Sequence, residues 1–269
     1  MQLPMSKAQI GRLGQRLIRS ETPSEEDIAA LRELLLVYSQ MLAETVEFVT
    51  SRLELLPSSR TKTEETILEK LRRGGGRWLR DVQDLAGMRF VFEGDLKEQD
   101  RLVEQVSGLF IDCPKPVRVI DRRNEPSHGY RAVHVIAFPH GIPVEIQIRT
   151  LLQHEWAETF EKLADLAGRG IRYGDNPSHM VVHSASASLW IAAPVDDPRA
   201  PAMRAAAPPG SRLAIESMRE LAALIADHEE RCTERPDDVE LSQATLEFQE
   251  TLSTFKQMLI GLASSPPDE

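Results

Sequence analysis

No run of eighteen apolar residues occurs in the 269-residue chain, so no membrane span is expected. Cysteine is almost missing. Cys113 and Cys232 stand too far apart for a zinc pair and are too few for a disulfide framework, which fits a reducing cytoplasm. Residues 1–20 hold Lys7, Arg12, Arg16 and Arg19 without a continuous apolar core, so a secretory signal is not expected. Positive charge is in deficit as well: 32 Lys and Arg face 42 Asp and Glu, and the net charge of −10 argues against a polyanionic partner for the surface as a whole. What remains, 41% apolar and 28% charged residues, is the balance of an ordinary globular protein.

The basic residues that do occur are clustered. Between Arg60 and Arg80 there are seven (Arg60, Lys62, Lys70, Arg72, Arg73, Arg77, Arg80) against three acidic residues. Between Cys113 and His134 there are five against two. Basic islands in an acidic chain point to a local phosphate site rather than a general nucleic-acid surface.

Ser24 with Asp27 reads as a capping box opening a long helix, in which Ile28, Leu31, Leu35, Tyr38, Leu42, Val46, Val49, Leu53 and Leu56 recur every three or four residues. Pro57 and two serines end it. A shorter helix is predicted over 63–73, capped by Thr63 and stopped at Gly74-Gly75-Gly76. Beyond Trp78 the pattern alternates: strands over 89–92, 117–121, 130–138 and 144–149, helices over 100–110 and 151–166. The expected fold is α+β, a mixed sheet flanked by helices. Residues 1–23 form an N-terminal segment, 24–175 the main domain and 176–212 an Ala/Pro-rich linker or insertion that holds His179 and His183 as bystanders. A helical pair over 213–262 and a disordered tail over 263–269 complete the chain.

Three stretches can carry chemistry. In Val144-Glu145-Ile146-Gln147-Ile148-Arg149, strand alternation sends the aliphatic residues to the core and Glu145, Gln147 and Arg149 to the other face. Such a triplet fits a solvated face as well as a site. On the strand over 130–138, Tyr130, Ala132 and His134 share a face, after a Gly129 that permits close backbone approach. Arg60, Lys62 and Lys70 surround a helix N-terminus, where amides and dipole favour phosphate; a solvated basic face is the plainer reading. In Asp84-Leu85-Ala86-Gly87-Met88-Arg89, Asp84 offers a hard oxygen for Mg²⁺ or simply caps a turn, and Arg89 could neutralise a phosphoryl group.

Together these stretches resemble the Rel/Spo-homologue alarmone synthetases. Arg60-Thr61-Lys62-Thr63-Glu64-Glu65-Thr66-Ile67-Leu68-Glu69-Lys70-Leu71 is similar to their basic ATP-binding segment, and Asp84-Leu85-Ala86-Gly87-Met88-Arg89 to their magnesium-aspartate turn. His128-Gly129-Tyr130-Arg131-Ala132-Val133-His134 is similar to their acceptor loop and strand. Glu145-Ile146-Gln147-Ile148-Arg149-Thr150, with His154 and Trp156-Ala157-Glu158, is similar to their catalytic strand and the helix after it. The resemblance runs in the family's order over residues 60–158. It implies a nucleotidyltransferase-like synthetase fold in which Arg60, Lys62, Thr66, Lys70 and Arg89 bind ATP. Asp84 and Glu145 would hold Mg²⁺, Glu145 would also accept the proton of a 3′-hydroxyl, and Tyr130, His134, Gln147 and His154 would bind the acceptor.

Three departures fall on the acceptor side or its support. Pro126 stands where members using guanosine nucleotides often have a lysine, with Arg122 and Arg123 nearby as substitutes. His154 replaces a frequent asparagine, and Phe160-Glu161-Lys162 replaces a Glu-His and Tyr-Lys pattern. There is no His-Asp dipeptide of the kind that marks the hydrolase half of long relatives, so a synthetase-only member is expected. GDP or GTP is the leading acceptor. The 3′ end of tRNA or an adenosine nucleotide is the alternative, and an inactive nucleotide-binding regulator is the alternative of another class. The resemblance also implies a homo-oligomer, a tetramer in many small relatives.

Overall fold

The computed structural model describes residues 1–74, 77–178, 180–183, 189–192 and 212–264. It divides into two compact units. The first comprises Met1–Val91, Asp100–Ile120 and Val133–Ile148, the second Phe92–Gln99, Asp121–Ala132 and Arg149–Glu269. The class is α+β, as expected.

The first unit opens with helix α1 (Lys7–Leu17), inside the stretch expected to be an N-terminal segment. Ser6 and Gln9 form its capping box, and Ile10, Leu13 and Leu17 are buried. Helix α2 (Glu25–Leu53) starts at Ser24, whose side chain accepts from the Asp27 N–H at 3.2 Å. Its buried stripe runs through Leu31, Leu34, Tyr38, Met41, Leu42, Thr45 and Val49, so Leu34 and Met41 belong to the inward face. The helix stops at Glu54, which adopts a left-handed conformation at φ 55°, and Leu56 is exposed rather than part of the apolar stripe.

The Pro57 region is more than a terminator: Ser58–Thr61 is strand β1. It pairs antiparallel with β2 (Ala86–Phe92), placing Arg60 opposite Gly87 and Ser58 opposite Arg89. Ala86, Met88 and Phe90 are buried on alternate positions, the signature of a sheet with one core face. Between them helix α3 (Glu64–Gly74) is capped as expected, Thr63 Oγ1 accepting from the Thr66 N–H at 3.4 Å, and Ile67 and Leu71 are fully buried. Gly75 and Gly76 lie outside the described residues. Helix α4 (Leu96–Gly108) precedes β3 (Arg118–Asp121), β4 (Val133–Ala137) and β5 (Val144–Thr150). The sheet order is β1-β2-β5-β4-β3, with Val133 opposite Ile148 and Ala137 opposite Val144.

The second unit is helical. Thr150 and Gln153 form a capping box that starts helix α5 (Leu151–Ala167), which packs with α6 (Ala214–Glu234) and α7 (Val239–Ser264). Trp156 is stacked on Phe160 with centroids 4.9 Å apart, and its indole N–H donates to the Met218 carbonyl at 2.7 Å. Within the stretch read from composition as a loose insertion, Met180–His183 (β6) pairs with Leu189–Ala192 (β7) and with Arg212–Leu213 (β8). Strands of two to four residues are too short to show a hydrophobic period. His183 is in β6; His179 and the tail over 265–269 lie outside the described residues. Among the described residues no helix is long and apolar enough to cross a membrane.

Gly129 is a backbone position of this unit that is closed off by a rigid ring. Its φ is +95°, and a Cβ there would lie 2.8 Å from Trp156 Cζ2 and 3.3 Å from Ala222 Cβ. Gly129→Ala is therefore expected to lower stability by about 1–3 kcal/mol, through strain and overpacking against a rigid indole. Urea denaturation checks this; an unchanged midpoint would contradict the packing described.

Candidate active site

The core face of the sheet in the first unit is aliphatic, and strand alternation leaves the opposite face to Arg60, Gly87, Arg89, Glu145, Gln147 and His134. The β4–β5 register sets His134 opposite Gln147 and Ile136 opposite Glu145, so His134 reaches Glu145 along the diagonal. His134 Nδ1 lies 2.9 Å from Glu145 Oε1, and Gln147 Nε2 donates to Glu145 Oε2 at 2.8 Å. The Glu145 side chain is only 13% exposed. Burial works to raise its pKa, but the hydrogen bond and charge of His134, with help from Gln147, outweigh that and hold the carboxyl below its ordinary range.

Asp84 sits at the mouth of β2. Its Oδ2 receives both ammonium groups of the basic segment, Lys70 Nζ at 3.1 Å and Lys62 Nζ in a shorter contact. Burial would raise the Asp84 pKa, yet the two lysines bring it below the ordinary value. Lys62 is pulled the other way: burial and the neighbouring Lys70 charge bring it down to about 8 despite Asp84. The Asp84 charge is also felt at Glu145, where it works to raise the pKa, so the two acids share one electrostatic neighbourhood. Gly87 lies between Arg60 and Glu145, its side-chain position 3.9 Å from the Arg60 carbonyl oxygen and 3.8 Å from that of Glu145.

The residues fit a magnesium ion. Asp84 Oδ1 is buried and has no hydrogen-bond partner, a hard oxygen with its lone pairs open. The Glu145 oxygens each keep a further lone pair beyond the one used by His134 or Gln147. Among the described residues no three metal-ligating side chains gather, so an ion here would complete its shell with water and substrate oxygens, as Mg²⁺ commonly does.

The remaining expected residues belong to the second unit, and the structure corrects the placement of two, Tyr130 and Arg149. Tyr130 precedes β4 rather than standing on it: Ser127 and Tyr130 exchange backbone hydrogen bonds of 3.2 and 3.0 Å, closing a tight turn through His128 and Gly129, both at positive φ. It therefore does not share a strand face with His134. Arg149 is not on an open polar face either. It is 4% exposed, donates to the Tyr130 hydroxyl at 2.9 Å, and its guanidinium lies 4.9 Å from the ring centre. Arg123 forms a fork-to-fork pair with Asp121 and donates to Gln99 at 3.3 Å. The Arg122 N–H bonds the Ala132 carbonyl at 2.9 Å, and His154 stands half-buried in the first turns of α5. Asp121, Gln99, Gln153 and Glu229 are partners that the sequence alone does not reveal, save where the signal is local, as in the Thr150–Gln153 capping box and the Asp121–Arg123 pair two residues apart.

Residues 59–164 match the family model described as the region found in RelA / SpoT proteins. The chain is 39% identical over 191 residues to uncharacterized proteins of Mycobacterium tuberculosis and Mycobacterium bovis, covering 69% of this chain and 68% of each relative. It belongs to the RelA/SpoT family. Solved structures of small alarmone synthetase 1 from Bacillus subtilis are also similar. The one bound to its product pppGpp is 25% identical, covering 51% of this chain and 82% of that one, with a TM-score of 0.45. Another is 22% identical, covering 82% and 98%, with a TM-score of 0.47. Every residue of the polar face and both acids fall inside the RelA/SpoT region, whereas α6 and α7 lie beyond it.

The Asp84 ion cluster makes a stability prediction. A carboxyl with a depressed folded pKa stabilises above its ordinary value of 3.8 and loses that contribution as pH falls through the folded value. Asp84→Asn should therefore be less stable than the native chain at pH 7 by about 1–3 kcal/mol. The gap should close in strong acid. Denaturation midpoints across pH check it, and a pH-independent gap would contradict it.

Proposed function

We propose that this RelA/SpoT-family chain is a pyrophosphokinase of the small alarmone synthetase type, moving the β,γ-pyrophosphate of ATP to the 3′-hydroxyl of GDP or GTP and releasing AMP. The observation that carries this reading is that two acids from separate motifs, Asp84 and Glu145, lie within reach of each other's charge, Asp84 holding the lysines of the basic segment. The acceptor oxygen bonds to the β-phosphorus as the bond from that phosphorus to the α,β-bridging oxygen breaks. The hydroxyl proton passes to Glu145, and AMP leaves with the bridging oxygen.

Each group has a part in that displacement. Glu145, held ionised by His134 and Gln147, accepts the proton without having to reorient. Lys62 and Lys70, pre-positioned on Asp84, join Arg60, Thr66 and Arg89 in binding the donor phosphates and offsetting charge on the equatorial oxygens. Asp84 and Glu145 would hold Mg²⁺, which supplies Lewis-acid neutralisation of the triphosphate when bound. For the acceptor, the family resemblance assigns the base to Tyr130 and names His134, Gln147 and His154 as its partners, with Arg122 and Arg123 as substitutes for the missing lysine.

A second reading changes only the acceptor, to the 3′ end of tRNA or an adenosine nucleotide. It is favoured by Pro126 in the place of a phosphate-binding lysine. Transfer of label from γ-labelled ATP to GDP, GTP, ATP or tRNA, with matching release of AMP, decides between them. Nucleotide binding with no AMP formed on any acceptor would leave a nucleotide-binding regulator and overturn the enzyme.

Glu145→Gln should keep the fold while lowering the transfer rate by about 10²–10³-fold or more. Retained transfer would remove Glu145 from the chemistry. The basic side adds a pH signature. Lys62 is charged below about 8 in the free protein, so kcat/KM for ATP should decline as pH rises through that value. Lys62→Arg should shift that decline to higher pH; a flat profile in the native chain would contradict the role given to Lys62.

A further inference from the structure

Glu229 is a charged side chain in the wrong place for a packing helix. It lies on α6, outside the RelA/SpoT region, yet is only 7% exposed and points into hydrogen bonds rather than solvent. Thr150 Oγ1 donates to its Oε1 in a short contact, and Gln153 Nε2 donates to its Oε2 at 3.1 Å. Gln153 Oε1 in turn receives Gln99 Nε2 at 2.8 Å, and Gln99 Oε1 receives Arg123 Nη1 at 3.3 Å. Gln99 and Gln153 are themselves buried, at 0% and 3% exposure.

The order of donors and acceptors along this chain is not arbitrary. An amide can face either way, so two amides in series admit two polarities. A carboxylate oxygen at one end accepts, and a guanidinium at the other only donates. Both ends select the same polarity, and each amide is oriented by its neighbours. Arg123 is thereby held from two sides, by Asp121 along its fork and by the amide relay at Nη1. The same Glu229 holds Thr150, the residue that ends the strand bearing Glu145 and Gln147 and caps α5. Burial raises the Glu229 pKa against the pull of Thr150, Gln153 and the Arg131 and Arg123 charges, and even a protonated carboxyl would keep an oxygen to accept from Gln153.

We propose that Glu229 is a positioning residue for the acceptor substrate: through Gln153 and Gln99 it orients the Arg123 guanidinium, making the C-terminal helix α6 part of the acceptor-recognition machinery rather than simple packing. This rests on the reaction proposed above. Interrupting a buried supporting hydrogen bond costs about 10–100-fold where such partners have been removed behind metal ligands, and a similar loss is expected here.

Glu229→Met keeps the length of the side chain but offers the relay no oxygen to accept from Gln153, whereas a glutamine could turn its amide oxygen to that place. Gln99→Met breaks the same relay from α4 without touching α6. Each is expected to raise KM for the acceptor about 10-fold or more while KM for ATP stays within about twofold. The double variant is expected to be no worse than the poorer single one, because one relay is broken twice. Circular dichroism and the urea midpoint identify a variant that has not folded, and the other variant then decides. An active native protein whose Glu229→Met and Gln99→Met variants keep acceptor KM, shift both KM values alike, or combine additively overturns the positioning role alone. A native protein that forms no AMP with any acceptor overturns the reaction itself and the positioning role with it.

Discussion

Two ammonium groups cannot occupy one partly buried space without an anion between them, and Asp84 is that anion. At an effective dielectric of about 20, like charges a few ångström apart repel by about 4 kcal/mol, more than most side-chain contacts return. The carboxylate at the mouth of β2 therefore has to be where it is if Lys62, following β1, and Lys70, within α3, are to converge. The rest of the polar face depends on this convergence. β1 pairs with β2, β2 neighbours β5, and the acid of β5 feels the charge of Asp84 through that arrangement.

Glu145 shows how a sheet prepares a carboxylate. Burial alone would raise its pKa; the diagonal histidine and the amide two residues along its own strand reverse that. The result is an anion that needs no rearrangement to receive a proton, with one hydrogen-bond partner on the neighbouring strand and one on its own, both in fixed register. Preorganisation of this kind is a property of β-pairing, because cross-strand spacing is set by the backbone and not by side-chain rotamers.

The second unit solves a different problem, that of holding arginines still. Arg123 is fixed by an aspartate two residues away and by a relay ending at Glu229, and Arg149 by the ring and hydroxyl of Tyr130. A guanidinium has donors in several directions, so one partner leaves it free to swing and two do not. α6 supplies Glu229 for this purpose, which ties a helix outside the RelA/SpoT region to residues inside it.

By itself the sequence determined the elements with a strong local period and the residues of the polar face. The α2 stripe, the aliphatic alternation of β5 and the Thr63 cap follow from 3.6- and 2-residue repeats and from side-chain chemistry over a few positions. The order of the four motifs was enough to identify the family. What only the tertiary structure decided was pairing over long separations. That β1 is a strand depends on β2 lying beside it, and that Tyr130 is in a turn depends on Ser127 closing it. That Arg149 is buried depends on Tyr130, and that Glu229 is a buried acceptor depends on two glutamines 76 and 54 residues apart along successive links of the chain. Hydropathy assigns a glutamate or arginine to solvent by default. Only a partner brought from elsewhere in the chain can offset the cost of burying it, and no local pattern records that partner.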